Sequence, residues 1–135
     1  MVFMLDTDAA SYLIKRRIPS VDRKVQEIPP EQVCISAVTR AELMYGLRRL
    51  PPDHRLHAGV GAFLRLTRTL PWDGDAADRY AEIRHRLASG GQTIGELDTM
   101  IAAHALAVDA TLVTNNTRHF ARIGAPLALA NWWED

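Results

Sequence analysis

Val2-Phe3-Met4-Leu5-Asp6 sets four apolar residues in a row and closes them with a carboxylate. Comparable short runs recur at 32–35 (Gln-Val-Cys-Ile), 69–72 (Thr-Leu-Pro-Trp) and 111–114 (Thr-Leu-Val-Thr), with a weaker one at 127–130. Between them lie segments of helical period at 8–17, 20–28, 36–50, 53–68, 75–89 and 97–108. Strands alternating with helices predict an α/β fold with a largely parallel central sheet. In such a sheet the residues that end the apolar runs converge at one edge. The breaks agree with this segmentation: Pro29-Pro30, Pro51-Pro52-Asp53, Gly90-Gly91 and Gly124-Ala125-Pro126 each punctuate a boundary. None is long enough to link two domains.

The 135 residues suit one domain with one core, spanning 1–135. Sixteen Lys and Arg balance sixteen Asp and Glu, so net charge neither demands nor excludes a nucleic-acid partner. Basic residues do cluster locally, at Lys15-Arg16-Arg17, Arg48-Arg49, Arg65/Arg68 and Arg84/Arg86. Most such groups are solvated faces, but Arg16, Arg17 and the 48–49 pair are candidates to flank an acidic mouth and hold a phosphate backbone. Cys34 stands alone, which excludes an internal disulfide and suits a reducing compartment. Its apolar neighbours predict a buried packing role. No stretch has the length of a membrane span, and the N-terminus lacks a secretory layout, so a cytoplasmic protein with no membrane partner is expected.

Three acids bear on chemistry: Asp6, Glu42 and Asp98. Each has a structural reading beside the functional one. Asp6 can cap the helix at 8–17, although Thr7 and Asp8 can take that role and leave Asp6 free. Glu42 can close a capping box with Thr39, but Ser36 is an equally good N-cap, which makes Glu42 an interior residue with an unassigned carboxylate. Gly46 lies one turn further along the same face, where space beside the glutamate explains a residue that costs a helix about 1 kcal/mol. Thr93 and Glu96 have capping-box spacing, so Glu96 is expected to be structural. The apolar stripe Leu97, Ile101, Ala105 and Val108 predicts a packed helix with Asp98 half-buried at its positive end. Thr114-Asn115-Asn116 reads as a strand-to-helix turn, with Asn116 capping 117–120 and Thr114 and Asn116 near the acids. Clustered carboxylates repel one another and lose solvation, and the usual remedy is a cation. The histidines lack zinc spacing. His54, His57 and His85 are expected at the surface, His104 in the core, and His119 near the asparagine turn, within reach of a phosphate. Trp132-Trp133 is expected to pin the last segment down.

Met4-Leu5-Asp6-Thr7-Asp8, Arg40-Ala41-Glu42-Leu43-Met44-Tyr45-Gly46, Ile94-Gly95-Glu96-Leu97-Asp98-Thr99-Met100-Ile101-Ala102-Ala103-His104-Ala105 and Leu112-Val113-Thr114-Asn115-Asn116-Thr117-Arg118-His119-Phe120 together resemble the motifs of PIN-domain proteins, and within them the VapC-like toxins of bacterial type II toxin–antitoxin modules. The resemblance runs over nearly the whole chain, in order. It implies a three-layer fold with four or five strands flanked by helices. It also implies a Mg²⁺- or Mn²⁺-dependent endoribonuclease, held in check by a VapB-like antitoxin and commonly dimeric. Asp6, Glu42 and Asp98 match the family acids, with Asp6 and Asp98 as metal ligands. At the fourth position the family often has Asp, and this chain has Asn116, which weakens any second metal site. Two other readings stand beside it. Asp6-Thr7-Asp8 also resembles the start of haloacid-dehalogenase-like phosphatases, with Asp6 as nucleophile, though Glu42 then has no role. A non-catalytic PIN-like module that binds RNA or protein is the third, supported by Asn116.

Overall fold

A computed structural model describes residues 1–15 and 19–133. Five short strands, β1 (Phe3–Leu5), β2 (Val33–Ser36), β3 (Arg68–Leu70), β4 (Thr111–Val113) and β5 (Leu129–Ala130), form one sheet in the order β3-β2-β1-β4-β5. All four pairings are parallel. The helices are α1 (Thr7–Lys15), α2 (Pro19–Glu27), α3 (Ala37–Arg48), α4 (Leu56–Leu66), α5 (Gly74–Ser89), α6 (Glu96–Ala107) and the four-residue α7 (Thr117–Phe120). The α/β expectation and its strand sequence are met, with strand ends moved by one or two residues. The end of the helix expected over 8–17, with Arg16 and Arg17, lies outside the described residues.

The apolar runs read without alternation because helices cover both faces of the sheet. Met4 pairs with Cys34 and Leu112, and all three are fully buried on the face covered by α5 and α6. Leu5 pairs with Ile35 and Val113 and turns to the opposite face, covered by α1 to α4. A one-residue slip would exchange the two sets, so the register is fixed by both cores at once. Cys34 is buried as expected, and burial pushes its thiol up to about 11, away from nucleophilic use. Trp132 packs on Phe3 and Trp133 on Tyr12, which pins the C-terminal segment to the first strand and helix.

Several local expectations change. In α6, Leu97 and Val108 are exposed, and the buried set is Thr99 together with residues 101–105. The helix lies between the sheet and α5, so its middle is enclosed nearly all round while its ends emerge. The capping box of Thr93 and Glu96 does not form: Gly95 is the N-cap and Glu96 pairs with Arg84 at 3.0 Å. α4 begins at Leu56, not at Asp53, because His54 Nδ1 accepts the Leu56 N–H and holds the preceding turn. His57, in the first turn of α4, bonds the Pro51 carbonyl at 3.0 Å; His54 and His57 are both half-buried, whereas His85 is exposed.

The order β3-β2-β1-β4-β5 reverses direction between β1 and β4. Ligands of open parallel sheets bind at such a switch point, outside the carboxyl ends of the strands. A helix that follows a strand starts at that edge, as α1 and α3 do. A helix that feeds a parallel strand runs back against it, which brings the N-terminus of α6 to the same edge.

Candidate active site

Asp6 follows β1 directly at the switch point and is only 4% exposed. It is the N-cap of α1, with Oδ1 accepting the Ala9 N–H at 2.8 Å. The functional and capping readings therefore coincide, and the expectation that Thr7 or Asp8 would free it from capping is corrected. Thr114, at the end of neighbouring β4, donates its hydroxyl to the same carboxylate and accepts the Asn116 N–H at 2.9 Å. Burial, with added repulsion from Asp8 and Asp98, outweighs these bonds and pushes the Asp6 carboxyl up to about 6.

Glu42 lies in the second turn of α3. Ser36 is the N-cap, its Oγ accepting the Val38 N–H at 3.1 Å, so the box with Thr39 is not formed. The Glu42 carboxylate instead accepts a 2.7 Å bond from Thr7 Oγ1. Its pKa is raised by burial and by the charges of Asp98 and Asp8, against that bond. Gly46 borders the same space: a Cβ built on it meets nothing within 4 Å. A groove of about 360 Å³ opens there between α1, α3 and α4, with Thr7, Lys15, Glu42, Gly46 and Arg49 among its walls. Arg49 also lies over the Tyr45 ring at 5.9 Å.

Asp98 is half-buried in the first turn of α6. Burial raises its pKa and the charge of Asp8 adds to this, while His119 lowers it; His119 Nε2 lies 3.2 Å from Asp98 Oδ2. Asp98 thus lies within electrostatic reach of both Asp6 and Glu42, although the three come from elements far apart in sequence. Asp8 is exposed at the mouth and acts on all three. Among the described residues no Lys or Arg is paired with any of the three. Asn116 is exposed and starts α7, but its side chain makes no capping bond. The turn is held instead by the Thr114 hydroxyl and by the Asn116 carbonyl, which accepts the N–H groups of His119 and Phe120.

Sequence reasoning set Thr114 near the acids and His119 beside the asparagine turn, but not the carboxylate that each one holds, and it missed Thr7 as the partner of Glu42. Thr7, Thr114 and His119 each hold one carboxylate, and no spacing rule marks a hydroxyl or imidazole that acts across elements. Thr7 and Thr114 do sit directly at strand ends, which is the one signal the sequence offers.

Among the described residues no three His, Cys, Asp or Glu side chains close on one point as an ion cage. Mg²⁺ needs no cage. It keeps several waters and uses one or two carboxylates together with substrate phosphates. An oxygen-only donor set in which the charge of Asp98 raises the pKa of both Asp6 and Glu42 fits such a hard cation.

Residues 3–126 match the family model described as "PIN domain". The chain is 38% identical over 130 residues to the tRNA(fMet)-specific endonuclease VapC of Shigella flexneri, covering 96% of this chain and 97% of that protein. It is 33% identical over 133 residues to ribonuclease VapC2 of Rickettsia felis, covering 98% of each. It also superimposes on a chain of the crystal structure of VapBC2 from Rickettsia felis bound to a promoter DNA fragment. There the TM-score is 0.89 at 32% identity, covering 98% of this chain and 99% of the other.

Proposed function

The chain belongs to the VapC-like PIN-domain family, and from that membership we propose that it is a Mg²⁺- or Mn²⁺-dependent endoribonuclease, the toxin of a toxin–antitoxin pair. The observation that supports the site reading is that Asp98 acts electrostatically on both Asp6 and Glu42, and that each of the three has its pKa raised by burial and by neighbouring acids. Asp6 and Asp98 would hold the cation. When bound, it lowers the pKa of water and offsets charge on the attacked phosphate.

This chain's residues then have separable tasks. The Ala9 N–H and the Thr114 hydroxyl fix the Asp6 carboxylate. Thr7 holds Glu42 by one oxygen, leaving the other to orient a water. The raised pKa of Glu42 brings it closer to the range where a carboxylate is an effective base. Glu42 takes a proton from that water, whose oxygen bonds to phosphorus as the bond to the 3′ oxygen breaks. The 3′ oxygen leaves, takes up a proton from solvent and becomes a hydroxyl, and the other product carries a 5′-phosphate.

The partner would be a VapB-like antitoxin, by analogy with the Rickettsia felis complex, and the active form a homodimer. The initiator tRNA named for the Shigella flexneri relative is the first substrate to test. The decisive experiment incubates the purified chain with initiator tRNA and with pooled cellular RNA across a Mg²⁺ and Mn²⁺ titration, then maps the ends. Metal-dependent cuts with 5′-phosphate ends, lost with chelator and on adding the cognate antitoxin, are expected. RNA binding without cleavage at any metal level would favour the non-catalytic module. The phosphatase reading is not favoured, since it leaves Glu42 and its Thr7 bond without purpose and the family membership points elsewhere.

A further inference from the structure

His119 has no part in the roles assigned above, yet it contacts one of the three acids. Its Nε2 lies 3.2 Å from Asp98 Oδ2. A carboxylate only accepts, so this nitrogen carries the proton and donates. The ring has little freedom to leave. It stands edge-on to Phe120 with centroids 5.4 Å apart, and Phe120 is almost fully buried in the core beneath the sheet. The backbone of the turn is fixed as well, since the His119 and Phe120 N–H groups both bond the Asn116 carbonyl at 3.1 and 3.2 Å. The imidazole is therefore held by the core at one side and by a backbone clamp at the other, with its donor aimed at Asp98.

Asp98 has need of such a donor. Its carboxylate is half-buried in the first turn of α6, and none of the described Lys or Arg residues pairs with it. Without His119 its side chain could swing outward to solvent, away from Asp6. We propose that His119 is a positioning residue for the metal site: by donating to Oδ2 it fixes the Asp98 carboxylate so that Oδ1 faces the shared space with Asp6. This rests on the metal-site reading above and adds to it a fourth corner supplied by α7. Partners that orient ligating carboxylates are typically worth about 10- to 100-fold in metal affinity.

The test measures Mn²⁺ binding directly, by calorimetry and by the electron paramagnetic resonance signal of free Mn²⁺, in the unsubstituted protein, His119→Ala and His119→Gln. Gln can place an amide N–H near the position of Nε2. His119→Ala is expected to bind Mn²⁺ about 10-fold or more weakly with its metal-free Tm unchanged. His119→Gln is expected to recover most of the affinity. RNA cleavage by the Ala variant should return as Mn²⁺ is raised to saturation. Equal Mn²⁺ affinity in the Ala variant overturns the proposal, and so does a Gln variant as weak as Ala. Failure of the unsubstituted protein to bind Mn²⁺ overturns the metal-site reading together with this one, so the two failures are distinct.

Discussion

Two buried polar clusters lie side by side at the carboxyl edge of the sheet. At the end of β2, Ser36 accepts the Val38 N–H and meets His104 Nδ1 at 2.8 Å, while the His104 ring also makes a backbone hydrogen bond with Pro71. Burial holds the His104 imidazole below the ordinary range, so the cluster is neutral and its donors and acceptors are matched. At the ends of β1 and β4, Asp6 and Thr114 are equally enclosed, but there the carboxylate stays charge-opposed by Asp8 and Asp98. A matched cluster stabilises the fold and asks for nothing more. An unmatched one costs stability and awaits a ligand. The difference supports the proposal that the second is the site, although burial and position are alike.

The strongest way to break this contrast is to neutralise the charged side. Asp98→Asn is expected to fold and to lose cleavage by roughly a thousandfold, the rate equivalent of about 4 kcal/mol. Full activity in that variant would remove Asp98 from the mechanism. The second test uses pH without metal. The Asp6 pKa is raised from 3.8 to about 6, so the native state binds the proton more tightly than the unfolded chain does. Stability from this group is therefore fullest below about pH 4, is lost as pH rises through about 6, and stays lost above. The gap corresponds to about 3 kcal/mol at most. Asn at position 6 can still cap α1 and carries no charge. In chelator, the melting temperature of Asp6→Asn should exceed that of the unsubstituted protein by more at pH 7.5 than at pH 5. Parallel curves across that range would show that the carboxylate bears no burial penalty.

The sequence made one half of this comparison more legible than the other. The sheet could be read from runs such as Val2 to Leu5, because strands buried on both faces leave continuous apolar signals. His104 was legible as a core imidazole, but its partner Ser36 was visible only as an N-cap. Asp6 could be picked out by its position after an apolar run, Glu42 as an unassigned carboxylate inside a helix and Asp98 at the start of a packed one, whereas Asp6's double duty could not, since capping and charge use different lone pairs of one carboxylate. The stripe in α6 misled because periodicity assumes one buried face, and this helix has two. Asn116 misled because its backbone, not its amide, holds the turn. Contacts between elements, as with Thr7 and His119, depend on the switch in strand order, which no local pattern encodes.

The neutral cluster offers the next test. Ser36→Ala leaves His104 Nδ1 and the Val38 N–H without their buried partner. It is expected to cost about 2 kcal/mol of stability by chemical denaturation. Cleavage per folded molecule should stay within about twofold of the unsubstituted rate, because this cluster touches none of the three acids by any hydrogen bond described. A loss of cleavage that exceeds the loss of folded protein would join the two clusters into one functional unit.

The smallest effect probes the seam between the two kinds of group. Thr7 is itself neutral, yet its hydroxyl serves a charge: the 2.7 Å bond to Glu42 lowers the carboxyl's pKa against the burial that raises it. Thr7→Val keeps the shape and removes the donor. The Glu42 carboxylate then gains freedom and its pKa climbs further, so the fraction ionised at neutral pH falls. A decline in kcat of about tenfold is expected, close to the 1.4 kcal/mol of one such bond to a charged group. The acid limb of the pH–rate profile should move upward, since the proposed base acts in its ionised form. In a background that already carries Glu42→Gln, Thr7→Val should change little, because its whole effect passes through that carboxylate. Independent, additive losses from the two substitutions would mean that Thr7 acts on the substrate itself.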